Sequence, residues 1–302
     1  MSTHPTVSVV VPVYNDVPAL RRCLAALQRQ DYPADRVQVL VVDNASSEDV
    51  SAAVPEDPRF RLLHEARRGS YAARNTGVLE ATGEVLAFTD SDCVPRPDWL
   101  RLGVAALHAD PRPDAIGGAI EIFFPHGPHR RTGPEHFEAH NEFQQRRYVE
   151  EWSFAATANV FVTREVFDRV GPFDARLKSG GDTDWGTRLV GSGGRLVFAP
   201  QVVVDHPARS TWRELGRKSV RVANGIADRT QHLGRGALAR RAWREARGGM
   251  SIWLRVWGGS RPAPTDAPGR VRYAAAFSYV RALRVGVHLR RMARRPGPPA
   301  QR

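Results

Sequence analysis

Asp90 and Asp92 stand one residue apart where the apolar run Val85-Leu86-Ala87-Phe88 stops, and this spacing implies chemistry. In an extended segment residues i and i+2 point the same way, so both carboxylates converge just beyond a strand. Carboxylates aimed at one point repel each other unless a cation or a donor-rich ligand joins them. Hard divalent ions such as Mg²⁺ take such oxygen ligands and commonly share them with substrate phosphates. By itself a D-S-D is more often a solvated acidic turn, so its surroundings decide. A second carboxylate pair, Asp182 and Asp184, follows Gly180-Gly181 and opens a helical pattern through Trp185 and Leu189. There Asp182 is a candidate base and, equally simply, a candidate helix cap.

The elements that must position these residues alternate. Residues 7–14, 37–42 and 60–63 read as short apolar strands, and the strand carrying the D-S-D is the fourth. Between them, 17–30, 47–54 and 69–81 read as helices, the first capped by Asp16 ahead of Pro18. Strands alternating with helices predict an α/β fold with a mainly parallel sheet, and near-continuous apolar strands require cover on both faces. Ligands of such sheets sit at the carboxyl ends of the strands. Tyr14-Asn15-Asp16, Asp43-Asn44 and Asp90-Ser91-Asp92 all fall at such ends.

Further on, 98–107 reads as a helix, and 115–124 as a strand pair or a bent strand containing Gly117-Gly118. The polar stretch 126–151 reads as a loop and helix over the site. Thr163 caps a helix with Val166, Phe167 and Val170 on its apolar face. Residues 196–198 and 202–204 read as two short strands ending at Asp205-His206.

Charge divides the chain. Residues 209–302 hold 22 Lys/Arg against 4 Asp/Glu, whereas residues 1–208 hold 22 against 28. The net charge of +12 therefore belongs to the tail, which suits an anionic partner: nucleic acid, anionic lipid or acidic substrate. Helices are predicted at 212–229, 235–247 and 270–295, with linkers at Gly248-Gly249 and 258–269 and a disordered end after 296. Arg281, Arg284, His288, Arg291 and Arg295 recur as one helical stripe, which fits interfacial membrane contact or simple docking. No apolar run approaches the roughly 18 residues of a membrane span. The N-terminus lacks a basic region ahead of its first strand, so no signal peptide is expected. Two cysteines, Cys23 and Cys93, are too few for a disulfide framework, and a cytoplasmic location is expected.

Eight segments occur in an order that resembles the family-2 glycosyltransferases, whose catalytic domain is the nucleotide-diphospho-sugar fold known as GT-A. They are Val7-Ser-Val-Val-Val-Pro-Val-Tyr-Asn15, Val41-Val-Asp-Asn-Ala-Ser46, Arg68-Gly-Ser-Tyr-Ala-Ala-Arg-Asn75 and Phe88-Thr-Asp-Ser-Asp92, then Ala158-Asn-Val-Phe-Val-Thr-Arg-Glu-Val-Phe167, Val170-Gly-Pro-Phe-Asp174, Gly181-Asp-Thr-Asp-Trp185 and Asp205-His206. The resemblance covers about residues 7 to 206. It implies a catalytic domain over 1–208, with a nucleotide-binding half to about 95 and an acceptor half after it, and a basic helical extension over 209–302.

The resemblance also implies roles. Pro12, Tyr14, Asp16, Asp43, Arg74 and Asp90 would bind the donor nucleotide. Asp92, with Asp90 and His206, would hold a divalent metal, Mg²⁺ or Mn²⁺. Asp182 would be the catalytic base, and Asp184, Trp185 and Gly118 would lie on the acceptor side. The family often has Glu-Asp where this chain has Gly181-Asp182, so the neighbouring carboxylate is absent. The implied reaction is metal-assisted, inverting transfer from a nucleoside-diphosphate sugar to an acceptor hydroxyl, in cell-envelope polysaccharide, glycolipid or natural-product glycosylation. Expected partners are the nucleotide sugar, a hydroxyl acceptor and an anionic membrane surface touched peripherally by the extension, with no nucleic acid. Two other readings are a nucleotidyltransferase of similar fold and a basic membrane- or nucleic-acid-binding protein without catalysis. No G-x-G-x-x-G follows the first strand, which disfavours a nicotinamide dehydrogenase.

Overall fold

The structure, a computed structural model, describes residues 4–125, 127, 131–229, 234–258 and 263–293. It divides into two compact units, Met1–Phe123 with Phe143–Pro207, and Phe124–Glu142 with Ala208–Arg302. The first unit carries strands β1 (Val7–Val13), β2 (Val37–Asp43), β3 (Phe60–His64), β4 (Val85–Thr89), β5 (Val94–Pro95), β6 (Ala115–Phe123), β7 (Asn159–Thr163) and β8 (Leu196–Pro207). In chain order the helices are α1 (Val17–Gln28), α2 (Ser70–Glu80), α3 (Trp99–Leu107), α4 (Gly133–Asn141), α5 (Gln145–Trp152), α6 (Arg164–Val170), α7 (Gly181–Gly191), α8 (Trp212–Arg229), α9 (Arg235–Arg255) and α10 (Ala267–Ala293). Of these, α4, α8, α9 and α10 belong to the second unit.

The strands form one sheet in the order β3-β2-β1-β4-β7-β6-β8-β5. Pairing is parallel from β3 to β4 and between β6 and β8, while β7 runs antiparallel between β4 and β6. Alternation along β1 feeds two cores. Val7, Val9, Val11 and Val13 pack with Leu20, Leu24 and Leu27 of α1 and Trp99 and Leu100 of α3. Val10 faces the other way, with Tyr71 of α2, Phe167 of α6 and Trp185 of α7. Burial on both faces is why these strands read as unbroken apolar runs.

Several expected elements change. The helix expected at 47–54 is reduced to the single turn Ser51–Ala53. Side chains take the amides that a longer helix needs: Ser46 N–H donates to Asp43 Oδ1 at 3.0 Å and Ser47 N–H to Asn15 Oδ1 at 2.7 Å. The two strands expected at 196–198 and 202–204 are one strand, β8, held along β6 with an irregularity between Gly118 and Ala119. At that irregularity the fully buried Asn159 donates to Ala119 O at 2.8 Å and Val202 O at 2.9 Å, and accepts from Trp99 Nε1 at 2.9 Å. The polar stretch 126–151 contributes α4 to the helical unit and α5 to the α/β unit.

In the helical unit, Phe137, Leu215, Ile252, Val256, Tyr273, Phe277 and Val280 form the core. Gly248-Gly249 is not a linker but lies inside α9, where a Cβ on Gly249 would meet Arg281 Cβ at 3.2 Å. The small residues let α9 and α10 approach closely, and Ser278 Oγ donates to Gly249 O at 2.8 Å. Of the expected linker 258–269, residues 259–262 lie outside the described residues, and α10 already begins at Ala267. The end after 296 and Arg295 also lie outside them. The arginine stripe of α10 turns into the unit: Arg281 pairs with Glu245 and Arg291 with Asp228, and His288 is buried. Among the described residues no helix is long and apolar enough to cross a membrane.

Asn159→Ala should destabilise the α/β unit by about 2–4 kcal/mol, because it strands two buried carbonyls and an indole N–H together. Urea unfolding checks this, and a loss well under about 1 kcal/mol would contradict the role given to Asn159.

Candidate functional site

The site is built where β4, β1, β2 and β8 end. After Thr89 the chain turns, Cys93 N–H donating to Asp90 O at 3.0 Å, and the two carboxylates part company. Asp90 takes a hydrogen bond from Arg74 Nη2 of α2, whose side chain is buried. A buried guanidinium needs a carboxylate, because leaving it unpaired carries a desolvation penalty of several kcal/mol. Arg74 Nη1 also donates to Ser70 O at 3.3 Å, whereas its Nε and the buried Thr89 Oγ1 have no hydrogen-bond partner. Such orphaned donors beside a strand end suit a polar ligand.

Asp92 turns to β8, where its Oδ2 lies 3.4 Å from Nε2 of the buried His206. His206 Nδ1 lies 2.8 Å from Pro207 O. The carbonyl can only accept, so Nδ1 carries a proton, and Nε2 is the ring nitrogen turned to the carboxylate. Asp92, Cys93 and His206 offer ligand atoms within 4.8 Å of one another. Burial pushes the Cys93 thiol well above its usual range, with the Asp92 and Asp90 charges adding to the shift, so a thiolate is disfavoured. The remaining carboxylate oxygen and imidazole nitrogen fit Mn²⁺ or Mg²⁺. The Pro207 carbonyl that orients the imidazole through Nδ1 fits a metal ligand too. The structure thus groups Asp92 with His206 and assigns Asp90 to Arg74, so the expected three-ligand set is divided.

Along the neighbouring strand ends, Pro12 lies in β1 opposite Val42. Tyr14 is exposed, with its ring under the Arg68 guanidinium at 4.8 Å and its hydroxyl accepting from Arg68 Nη1 at 2.8 Å. Asp16 caps α1, accepting from Ala19 N–H at 3.1 Å. Burial raises its pKa, and the Asp92 charge adds to the rise. Asp43 accepts from Ser46 N–H, and its Oδ2 lies 3.3 Å from His64 Nδ1. Asn44, buried, ties the adjoining loops together by donating to Arg67 O at 2.7 Å and accepting from Gly69 N–H at 2.7 Å.

Asp182 stands in the first turn of α7, its Oδ1 accepting from Thr183 N–H at 2.8 Å and from Tyr71 Oη at 3.3 Å. Together with Thr157, Phe173 and Trp185 it lines a largely apolar cavity. Tyr71, in contact with Asp182, is the residue of this corner that sequence reasoning did not single out. A Cβ on Gly181 would lie 2.8 Å from the Tyr71 ring, so the tyrosine fills the space that a side chain at 181 would need. Burial raises the Tyr71 pKa, reinforced by the Asp182 charge, so the phenol keeps its proton and donates. The signal was the missing carboxylate at 181; nothing in the sequence linked it to residue 71.

The residues expected on the acceptor side are less exposed to it. Asp184 pairs with Arg188 at 3.1 Å. Trp185 is buried against Phe167 and Phe173, donating to Gly171 O at 3.0 Å. Gly118 is buried in the sheet, where a Cβ would strike Asn159 Nδ2 and Val202 O at 2.4 Å. Close backbone packing, not a ligand, accounts for this glycine.

The sequence profile of Glycosyl transferase family 2 matches residues 8–171. Glycosyltransferase AglE of Haloferax volcanii is 38% identical over 229 residues, covering 74% of each chain. The pre-mycofactocin glycosyltransferase of Mycobacterium tuberculosis is 29% identical over 225 residues, 72% of this chain but 46% of its own length. Among solved structures, the mannosyltransferase PcManGT of Pyrobaculum calidifontis, in complex with GDP-Man and Mn²⁺, superposes with a TM-score of 0.57 at 22% identity, covering 96% of this chain and 74% of its own. GalNAc-T7 with UDP, GalNAc and Mn²⁺ gives 0.52 at 18% identity, covering 69% of this chain and 45% of its own. At these identities the structures bear on the fold, which is GT-A. The profile match and the haloarchaeal relative go further: the chain belongs to glycosyl transferase family 2 and is a glycosyltransferase.

Proposed function

We propose that the protein transfers a sugar from a nucleoside-diphosphate donor to an acceptor hydroxyl by a single, inverting displacement assisted by a divalent cation. The observation that carries this reading is Asp92 Oδ2 lying 3.4 Å from Nε2 of the buried His206, a carboxylate and an imidazole brought together where β4 and β8 end. A cation held there would supply charge neutralisation at the departing diphosphate. Mn²⁺ in two structural neighbours, beside GDP-Man in one and UDP in the other, supports it.

In this reading the chain's own residues divide the work. Asp92 and His206 hold the cation, and Arg74, anchored by Asp90, lends its positive charge beside the departing diphosphate. Tyr14, Pro12, Asp16 and Asp43 bind the nucleotide, the exposed Tyr14 ring serving as an apolar platform beside the Asp43 acceptor. Asp182 takes the proton of the attacking hydroxyl. Tyr71 positions that carboxylate and stabilises its anion by hydrogen bonding. With one base and no second nucleophile assigned, the displacement inverts the anomeric centre. The basic helical unit suits an acceptor carried at an anionic surface of the cell envelope.

Three outcomes test this. Asp182→Asn should lower transfer by about 10²- to 10⁴-fold while leaving nucleotide binding nearly unchanged; wild-type turnover would remove Asp182 as the base. Tyr71→Phe should lower kcat by about tenfold and move the acid limb of the pH–rate profile upward, since a carboxylate that loses a donor holds its proton more firmly. An unmoved limb would leave Tyr71 a packing residue only. Excess chelator should abolish turnover and added Mn²⁺ or Mg²⁺ restore it; full activity in chelator would refute the cation.

A further inference from the structure

The arginine stripe expected to meet a membrane is the one on α10, and in the structure it is occupied internally by Glu245 and Asp228. A different stretch carries an exposed apolar face. Along α9 the side chains of Trp243, Arg247, Met250 and Leu254 recur at spacings of four and three residues, and Trp257, in the turn just past the helix with the Arg270 guanidinium 5.3 Å from its ring, continues the stripe. Trp243 and Met250 are each 62% exposed, Leu254 80% and Trp257 54%. Ile252 and Val256, on the opposite side of the helix, are buried in the core of the helical unit. The exposed stripe is therefore not core left uncovered by a short helix; α9 already has a buried face.

Composition selects the occupant. Helix α9 holds six arginines and one carboxylate, Glu245, which is turned inward onto Arg281. Arg240, Arg244 and Arg247 are exposed along one edge of the apolar stripe. A second copy of the chain docked face to face would set arginine rows near one another, which like-charge repulsion opposes. Tryptophan is the side chain enriched at the membrane–water boundary, and arginine can lay its aliphatic stem along apolar groups while its head reaches phosphate. Residues 209–302 carry 22 basic against 4 acidic side chains, so the complementary surface is anionic. With this many charges α9 lies on a bilayer and does not cross it.

We propose that α9 is an interfacial anchor that lies along an anionic lipid bilayer, with Trp243, Leu254 and Trp257 at the acyl boundary and Arg244 and Arg247 on lipid phosphates. This deepens the reading of an acceptor at an anionic surface, but it concerns location alone and is measured without turnover, so it fails separately from the catalytic assignment.

The test uses the full chain with sedimenting vesicles of phosphatidylcholine alone and of phosphatidylcholine mixed with phosphatidylglycerol. Wild type should pellet with the mixed vesicles, with a blue shift of tryptophan emission, and weakly with the neutral ones. The triple variant Trp243→Ser/Leu254→Ser/Trp257→Ser should bind about tenfold or more weakly, with an unchanged far-UV spectrum because all three side chains are on the surface. Arg244→Ser/Arg247→Ser should weaken binding to the mixed vesicles and flatten its salt dependence. Wild type that stays in the supernatant would overturn the proposal, as would variants that pellet like wild type. A concentration-dependent dimer that the triple variant dissolves, without lipid binding, would overturn it in favour of self-association.

Discussion

The contact between the buried Arg74 guanidinium and Asp90 is the interaction on which the rest of the site depends. Asp90 and Asp92 leave the same strand end one residue apart, and two anions that close need separate neutralisation. Arg74 supplies one half of it from α2, so Asp92 is left to turn toward β8 and His206. The pair also fixes α2 at its N-terminal end, where Asn44 holds Gly69 and Asn75 holds the Phe173 loop that packs against Trp185. An interaction between two side chains thus sets the positions of the Asp92–His206 corner and of the helix bearing Tyr71.

Much of this was legible because the chemistry is local. The D-S-D lies just past an apolar strand, and Asp16 caps α1 from three residues away. The alternation of strand and helix was readable for the same reason, since each unit is closed within about thirty residues. What was not legible depends on pairs distant in sequence. The antiparallel insertion of β7 requires Asn159 to meet Thr89 and Ala115 to meet Val162, and no periodicity within either strand announces that. The division of 126–151 is similar. Glu138 and Glu142 of the first half are ion-paired with Arg209 and Lys218, so charge complementarity across about seventy residues fixes its place in the helical unit.

The helical unit shows how composition misleads when partners are unknown. The stripe Arg281, Arg284, His288 and Arg291 has the periodicity of a solvated or membrane-facing edge. Packing makes it interior, with burial lowering the pKa of both Arg284 and His288. The same packing explains the glycine pair in α9: Gly248 and Gly249 sit over Arg281, where larger residues would push the helices apart. A Gly-Gly read as a break is here a contact, and the helix continues through it.

The exchange at residue 181 is the clearest case of one position answering another. A Glu at 181 would place two carboxylates in one helical turn, which raises the proton affinity of the pair. With Gly at 181, that repulsion is absent, and the space admits the ring of Tyr71, whose hydroxyl reaches Asp182 at 3.3 Å. A buried phenol with a raised pKa cannot compete for the negative charge; it can only donate to it. The glycine therefore does more than leave a position empty. It admits a stabilising contact beside the proposed base, and it makes α2, already fixed by Arg74 and Asp90, the support for the orientation of the carboxylate on α7.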